Sequence, residues 1–256
     1  LQTRRNSWDA FTDEQIRSAR RAFYAMCTHI DHQMRIVLGT LREERLLDDT
    51  IILFTSDHGD MLGNHHQWAK RLYYENSAQV PMILVGTAGD DRVGHHRIDD
   101  RLVGWQDIMP TLLDLAGVSI PGSVDGTSMV EDNKRSYLYG ECGNGPTATR
   151  MMHDGRHKLI YYPVGNRAQL FDLERDPNEM EDLIGQPAYS GVEDDLRQRL
   201  AQELYGGDEA WVKDGHYVGL PDKAYEPGPN RGLTGQRGSH WPVPPQTGQG
   251  DVLSLT

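Results

Sequence analysis

This chain has little of what would fix a fold or a partner from outside a hydrophobic core. Its 256 residues include two cysteines, Cys27 and Cys142. A pair so far apart makes neither a disulfide framework nor a zinc site. No apolar run reaches the ~18 residues of a membrane-spanning helix. No signal-peptide pattern stands at Leu1, which leaves the compartment open. Positive charge is scarce: 26 Lys and Arg face 38 Asp and Glu, a formal net charge of −12. That balance excludes a broad basic footprint for nucleic acid or an anionic membrane. An anionic substrate must therefore be drawn in by local charge rather than by the field of the whole molecule.

What is present is concentrated in one stretch. The apolar run Ile51-Ile52-Leu53-Phe54 ends in Thr55-Ser56-Asp57-His58-Gly59. Apolar residues rich in β-branched and aromatic types, without polar alternation, suit a strand covered on both faces, as in a parallel sheet between helices. Met82-Ile83-Leu84-Val85 reads the same way. In such sheets ligands gather beyond the carboxyl ends of the strands. Asp57 and His58 fall at that end and offer a metal one hard oxygen and one borderline nitrogen. Gly59 lets the backbone turn away without a Cβ clash. Lys70, with Arg71 beside it, returns positive charge to the same pocket. Taken alone, such a pair is more often a carboxylate capping the next helix or turn beside a satisfied surface histidine.

The rest of the chain divides into recognisable elements. Thr12-Asp13-Glu14-Gln15 fits a capping box, and Phe23, Met26, Cys27, Ile30, Met34, Val37, Leu38 and Leu41 recur at helical spacing. They predict one long core-facing helix to about Leu46, on which Asp31 is a paired or solvated charge. A second helix is expected over 104–115, its regular part beginning around Pro110. From Arg135 onward, short β runs at 136–139, 157–162 and 168–173 alternate with the turn residues Asp154-Gly155 and Gly165-Asn166, the pattern of an antiparallel sheet. A helix at 192–204 closes this region. Beyond Gly206 the chain is rich in Gly and Pro, with Trp211, Tyr217, Tyr225 and Trp241 as isolated aromatics; it is either disordered or draped over the body through them. The expected division is 1–130, 131–205 and a tail over 206–256.

The stretch from Ser56 to Lys70 resembles the Ser-Asp-His-Gly-(Asp/Trp)-x-Leu-Gly-x-His-x-x-Trp-Ala-Lys signature of sulfatases, members of the alkaline phosphatase superfamily. Further blocks follow in family order. They are Tyr73-Tyr74-Glu75 with Val80-Pro81-Met82-Ile83, then Asp107-Ile108-Met109-Pro110-Thr111-Leu112-Leu113-Asp114-Leu115-Ala116-Gly117, then Gln169-Leu170-Phe171-Asp172-Leu173 with Asp176-Pro177-Asn178-Glu179. The resemblance covers roughly 19–204. It implies an α/β fold: part of an alkaline-phosphatase-like mixed sheet sandwiched by helices, followed by a small α+β subdomain with an antiparallel sheet.

The resemblance also implies hydrolysis of a small anionic sulfate ester. Asp57 and His58 would ligate one divalent metal, with Ca²⁺ the first assignment and Mn²⁺ or Mg²⁺ the alternatives. Lys70 would contact the sulfate, and His65 would be a second catalytic residue; His66 is a weaker candidate. The family's nucleophile is a formylglycine made within C/S-x-P-x-R. Neither Cys27-Thr28-His29-Ile30-Asp31 nor Cys142-Gly143-Asn144-Gly145-Pro146 supplies that context, nor does any serine. The expectation is therefore a C-terminal half, inactive in isolation and completed by an N-terminal half that carries the nucleophile. A homo-oligomer is compatible with this reading. Gly63-Asn64-His65-His66 resembles phosphonate monoester and phosphodiester hydrolases, whereas Gln67-Trp68-Ala69-Lys70 resembles sulfatases. Phosphonate or phosphodiester hydrolysis is thus one alternative, and a non-catalytic fragment is the other, expected if the chain is complete as given.

Overall fold

The computed structural model describes residues 12–70, 72–132 and 135–222. Arg71, Tyr225 and Trp241 lie outside them. The first element is a helix, α1 (Asp13–Glu43). Its capping box is formed in both directions, Gln15 N–H to Thr12 Oγ1 at 3.3 Å and Thr12 N–H to Gln15 Oε1 at 2.8 Å. It stops short of Leu46 because Arg45 takes a left-handed φ of 59°. Leu46 N–H then returns to Leu41 O and Arg45 N–H to Arg42 O, which is a Schellman closure. The apolar stripe expected to face the core is not buried: Met26, Ile30 and Val37 are 58%, 53% and 61% exposed. An amphipathic pattern shows that a face needs cover, not what covers it; no residue of α1 is fully buried, and Phe23, Met34, Leu38 and Leu41 are half-buried.

The strand β1 (Ile52–Thr55) forms where expected, but its partner corrects the sequence reading. It pairs with β2 (Met82–Val85), and the two run antiparallel, Ile52 opposite Val85 and Thr55 opposite Met82. The predicted parallel neighbours are not among the described residues. Continuous apolar character says nothing of strand direction, and the expected cover on both faces is not found among the described residues either: β1 is half-buried, and Ile83 and Val85 of β2 are exposed. Between these strands lie a long loop and a short helix, α2 (Glu75–Ala78). A 3₁₀ turn (Trp105–Asp107) leads into α3 (Ile108–Leu115). Pro110 sits in its first turn, where a missing N–H costs nothing. Asp107 is buried and accepts from Gly104 N–H (2.8 Å), Thr127 N–H (3.0 Å) and Arg135 (2.5 and 2.8 Å), locking the helix start to the loop that follows it.

The second half is an antiparallel sheet in chain order: β3 (Leu138–Cys142), β4 (Thr149–His153), β5 (His157–Tyr162) and β6 (Arg167–Asp172). The sequence pattern missed β4, and it placed β3 two residues early. Strand alternation gives this sheet two buried faces. Leu159, Tyr161 and Leu170 pack with Leu196 and Leu200 of α4 (Ser190–Glu203). Ile160 and Phe171 point the other way, against Met61, Leu72 and Tyr74 of the loop after β1. The sheet is thus the middle layer between α4 and that loop.

Of the two outcomes left open for the tail, its described part takes the second. A 3₁₀ segment (Gly206–Trp211) and a hairpin of β7 (Val212–Lys213) and β8 (His216–Tyr217) lie against the sheet. Trp211 is buried there, 6.2 Å from the Tyr161 ring and beneath the Arg150 guanidinium.

Candidate active site

Asp57 and His58 stand immediately after β1, where the strand's backbone pairing has ended. Three contacts fix that corner. Trp105 Nε1–H donates to Ser56 O at 3.1 Å, Ser56 Oγ–H donates to His58 O at 2.9 Å, and Gly59 N–H donates to Ser77 O in α2 at 2.9 Å. Gly59 is demanded by space rather than by dihedral angle. A Cβ there would lie 2.1 Å from Asn76 O, whereas its φ is outside the left-handed region.

The His58 ring is oriented from both sides. Nδ1–H donates to Gly59 O at 2.7 Å, which directs the lone pair of Nε2 outward. That lone pair meets the Lys70 ammonium at 2.5 Å and lies 3.1 Å from Asp57 Oδ2. Asp57 Oδ1 is held by His58 N–H at 3.1 Å. Two electron-pair donors, one oxygen and one nitrogen, therefore converge on a point that requires positive charge. The backbone carbonyl behind the imidazole is the arrangement that orients metal-bound histidines. The donor set fits a divalent cation, although two protein donors are fewer than such an ion takes. Among the described residues no group of three or more His, Cys, Asp or Glu converges. The structure brings together Asp57, His58 and Lys70 as the sequence predicted.

The loop carrying Lys70 is strained. Leu62, His65, His66 and Ala69 all have φ between 47° and 61°, a conformation unfavourable for side-chain-bearing residues and typical of constrained functional loops. Its shape is held by Met61 N–H to Ala69 O (2.9 Å), Gly63 N–H to Gln67 O (2.8 Å) and Arg20 Nε–H of α1 to Leu62 O (2.7 Å). His65 lies apart from the Asp57 cluster. Its ring stacks on Tyr74 with centroids 4.3 Å apart, and Nε2 bonds Asn178 O at 3.0 Å, so it stands between the loop and the C-terminal sheet.

Several supporting residues carried no signal in the periodicity. Arg20 and Trp105 reach the site from α1 and the 105–107 turn. Lys158 of β5 is buried with its Nζ 2.6 Å from both Glu75 Oε1 and Glu179 Oε1. Burial pushes the Glu179 carboxyl above the usual range, opposed by Lys158; burial likewise raises the Tyr74 phenol. Glu179 stood inside a motif, but its partners are 21 and 104 positions away and are visible only in three dimensions.

Comparison with known proteins gives the family. A family model described as "Sulfatase" matches residues 2–118, and one described as "N-sulphoglucosamine sulphohydrolase, C-terminal" matches residues 63–205, more than half the chain. The chain belongs to the sulfatase family. It is 37% identical over 203 residues to an arylsulfatase of Clostridium perfringens, a match covering 77% of this chain and 42% of that protein. A solved 2-O GAG sulfatase superposes with a TM-score of 0.69 at 27% identity, over 75% of this chain and 44% of that one. A phosphonate monoester hydrolase from Silicibacter pomeroyi superposes at 0.66 with 27% identity, over 75% and 42% respectively. This sulfatase-family chain spans less than half the length of the curated relatives it matches. No described helix is long and apolar enough to cross a membrane.

Proposed function

We propose that this sulfatase-family chain contributes the metal-binding and sulfate-binding side of an enzyme that hydrolyses small sulfate esters. The observation that carries the reading is the convergence of Asp57 Oδ2, His58 Nε2 and Lys70 Nζ at the end of β1. Asp57 and His58 would hold one divalent ion, with Ca²⁺ as first assignment and Mn²⁺ or Mg²⁺ as alternatives. Oxygen-rich sites favour Ca²⁺, while the imidazole nitrogen shifts preference toward softer ions. When bound, the ion neutralises negative charge on the non-bridging sulfate oxygens.

The protein's own groups do the positioning. Gly59 O holds the Nδ1 side of the His58 ring, so that Nε2 faces Asp57 and Lys70. Lys70, a compact cation on a flexible stem, donates to the sulfate and can follow charge onto the leaving oxygen. Preorganised charge of this kind supplies most of the catalysis in related group transfers. No cysteine or serine here stands in C/S-x-P-x-R. The formylglycine nucleophile is therefore assigned to the remainder of the enzyme, and this chain alone is expected to be inactive.

Phosphonate monoester hydrolysis is the second reading, favoured by Gly63-Asn64-His65-His66 and by the likeness to the Silicibacter enzyme. The test is a parallel assay of the whole enzyme with an aryl sulfate and an aryl phosphonate monoester, alongside Asp57→Ala and Lys70→Ala. We expect faster sulfate turnover, loss of bound metal in Asp57→Ala, and a fall of about 10²–10³-fold in kcat for Lys70→Ala with the fold intact. Faster phosphonate turnover would reverse the ranking, and unchanged metal content in Asp57→Ala would overturn the site.

A further inference from the structure

We infer that Lys158, buried in the C-terminal sheet, is a positioning residue for the Asp57–His58 pair; the inference rests on the metal-site reading above. The connection is a continuous series of polar contacts. Lys158 Nζ lies 2.6 Å from Glu75 Oε1 and 2.6 Å from Glu179 Oε1. The other oxygen of Glu179 accepts Glu75 N–H at 2.6 Å, at the first residue of α2. Two residues on, Ser77 O accepts Gly59 N–H at 2.9 Å, and Asn76 O presses where a Gly59 side chain would be. Gly59 O in turn holds His58 Nδ1 at 2.7 Å. One ammonium on β5 thereby sets where α2 sits, and α2 sets where the imidazole points.

Stability alone does not account for this arrangement. A buried ion cluster is often no more stabilising than apolar residues of similar volume, whereas it does select one arrangement of the groups it joins. Lys158 shares its strand face with Ile160, which packs in the apolar cluster with Met61 and Phe171, so an apolar residue at 158 would satisfy burial. The cation instead grips carboxylates from two separate segments. Glu179 holds its side of the clamp at a φ of 56°, a conformation that persists only when its surroundings impose it. The neighbouring Asn178 O takes His65 Nε2 at 3.0 Å, a second strut from the same turn to the catalytic loop.

The test measures Ca²⁺ binding by calorimetry to the metal-stripped whole enzyme, with the denaturant midpoint recorded for each variant. Lys158→Met keeps the length and removes the charge. Leu196→Ala weakens the same sheet from its opposite face, where it packs against Leu159 and Leu170 without touching the loop. We expect Lys158→Met to weaken Ca²⁺ binding ~10–100-fold, the range found when partners of metal ligands are removed. Lys158→Arg should recover part of the loss. Leu196→Ala should lower the midpoint and leave Ca²⁺ affinity within about twofold. If Lys158→Met does not fold, Glu179→Gln carries the same comparison. Wild-type affinity in the charge variant, or a loss matched by Leu196→Ala, overturns the inference. Asp57→Ala run beside them separates the two ideas: if it binds Ca²⁺ as wild type does, the metal-site reading fails, whatever Lys158 does.

Discussion

Replacing Gly59 by alanine tests whether α2 and the Asp57–His58 corner are one unit. The added methyl would sit 2.1 Å from Asn76 O, 3.0 Å from Asn76 C and 3.4 Å from Ser77 Cα. Ordinary contact begins near 3.4 Å, so one side must retreat by about 1.3 Å. The obstruction is backbone carbonyl, not the end of a flexible side chain. Because the φ of Gly59 lies outside the left-handed region, alanine adds no dihedral strain and the effect isolates the collision. Overpacking of this kind costs ~1–3 kcal/mol, and loss of the Gly59 N–H to Ser77 O bond adds about 1 kcal/mol. A total of ~2–4 kcal/mol should appear as a lowered denaturant midpoint with an unchanged slope. A displacement near 1 Å at catalytic groups costs on the order of 10²-fold in rate. With the substitution made in the whole enzyme of the proposed function, turnover of the aryl sulfate should therefore fall at least tenfold under conditions where the variant is fully folded. Wild-type stability together with wild-type turnover would refute the claim that Gly59 is packed against α2.

Two further outcomes follow from the second half of the chain. Trp211→Ala should cost ~3–5 kcal/mol, because the ring is buried against Tyr161 and Arg150; urea unfolding checks it, and a change below about 1 kcal/mol would place 206–222 outside the core. Asp172 is held below the usual carboxylate range by hydrogen bonds from Arg156, with burial opposing. A depressed folded value means that its contribution is present above the unfolded pKa of about 3.9 and is lost as pH falls through the folded value. Asp172→Asn should then destabilise by ~1–2 kcal/mol at neutral pH, and the difference from wild type should shrink below about pH 4 in acid-titrated unfolding curves. A difference independent of pH would show that charge at 172 is not what matters.

Some of this protein was written locally, and those parts were legible. The capping box at Thr12, the end of β1 at Thr55, the helix carrying Pro110 near its start, and β5 and β6 all depend on neighbours within a few residues, which sequence displays directly. The residues of the proposed site are equally local, since Asp57, His58 and Lys70 share one short segment. The omission within the four-stranded sheet, β4 (Thr149–His153), arose because Thr149-Arg150-Met151-Met152-His153 buries an arginine and has no clean alternation. Arg150 is tolerated because Asp208, 58 positions away, pairs with it and the carbonyls of Cys142, Gly143 and Thr149 accept its remaining N–H groups.

Tertiary structure alone decided how those pieces were oriented and held. Strand direction was invisible because a continuous apolar strand reads the same whether its neighbour runs parallel or antiparallel, and β1 and β2 proved antiparallel, with Ile83 and Val85 on an exposed face. The face of α1 was predicted apolar but not what meets it, since periodicity encodes a need for cover and not its source. Above all, the aim of His58 depends on Gly59, α2, Glu179 and Lys158. Those residues lie far apart in sequence and are brought within hydrogen-bonding distance only when the C-terminal sheet folds against the loop. Short-range chemistry selects which groups can bind a metal; long-range packing determines where they point.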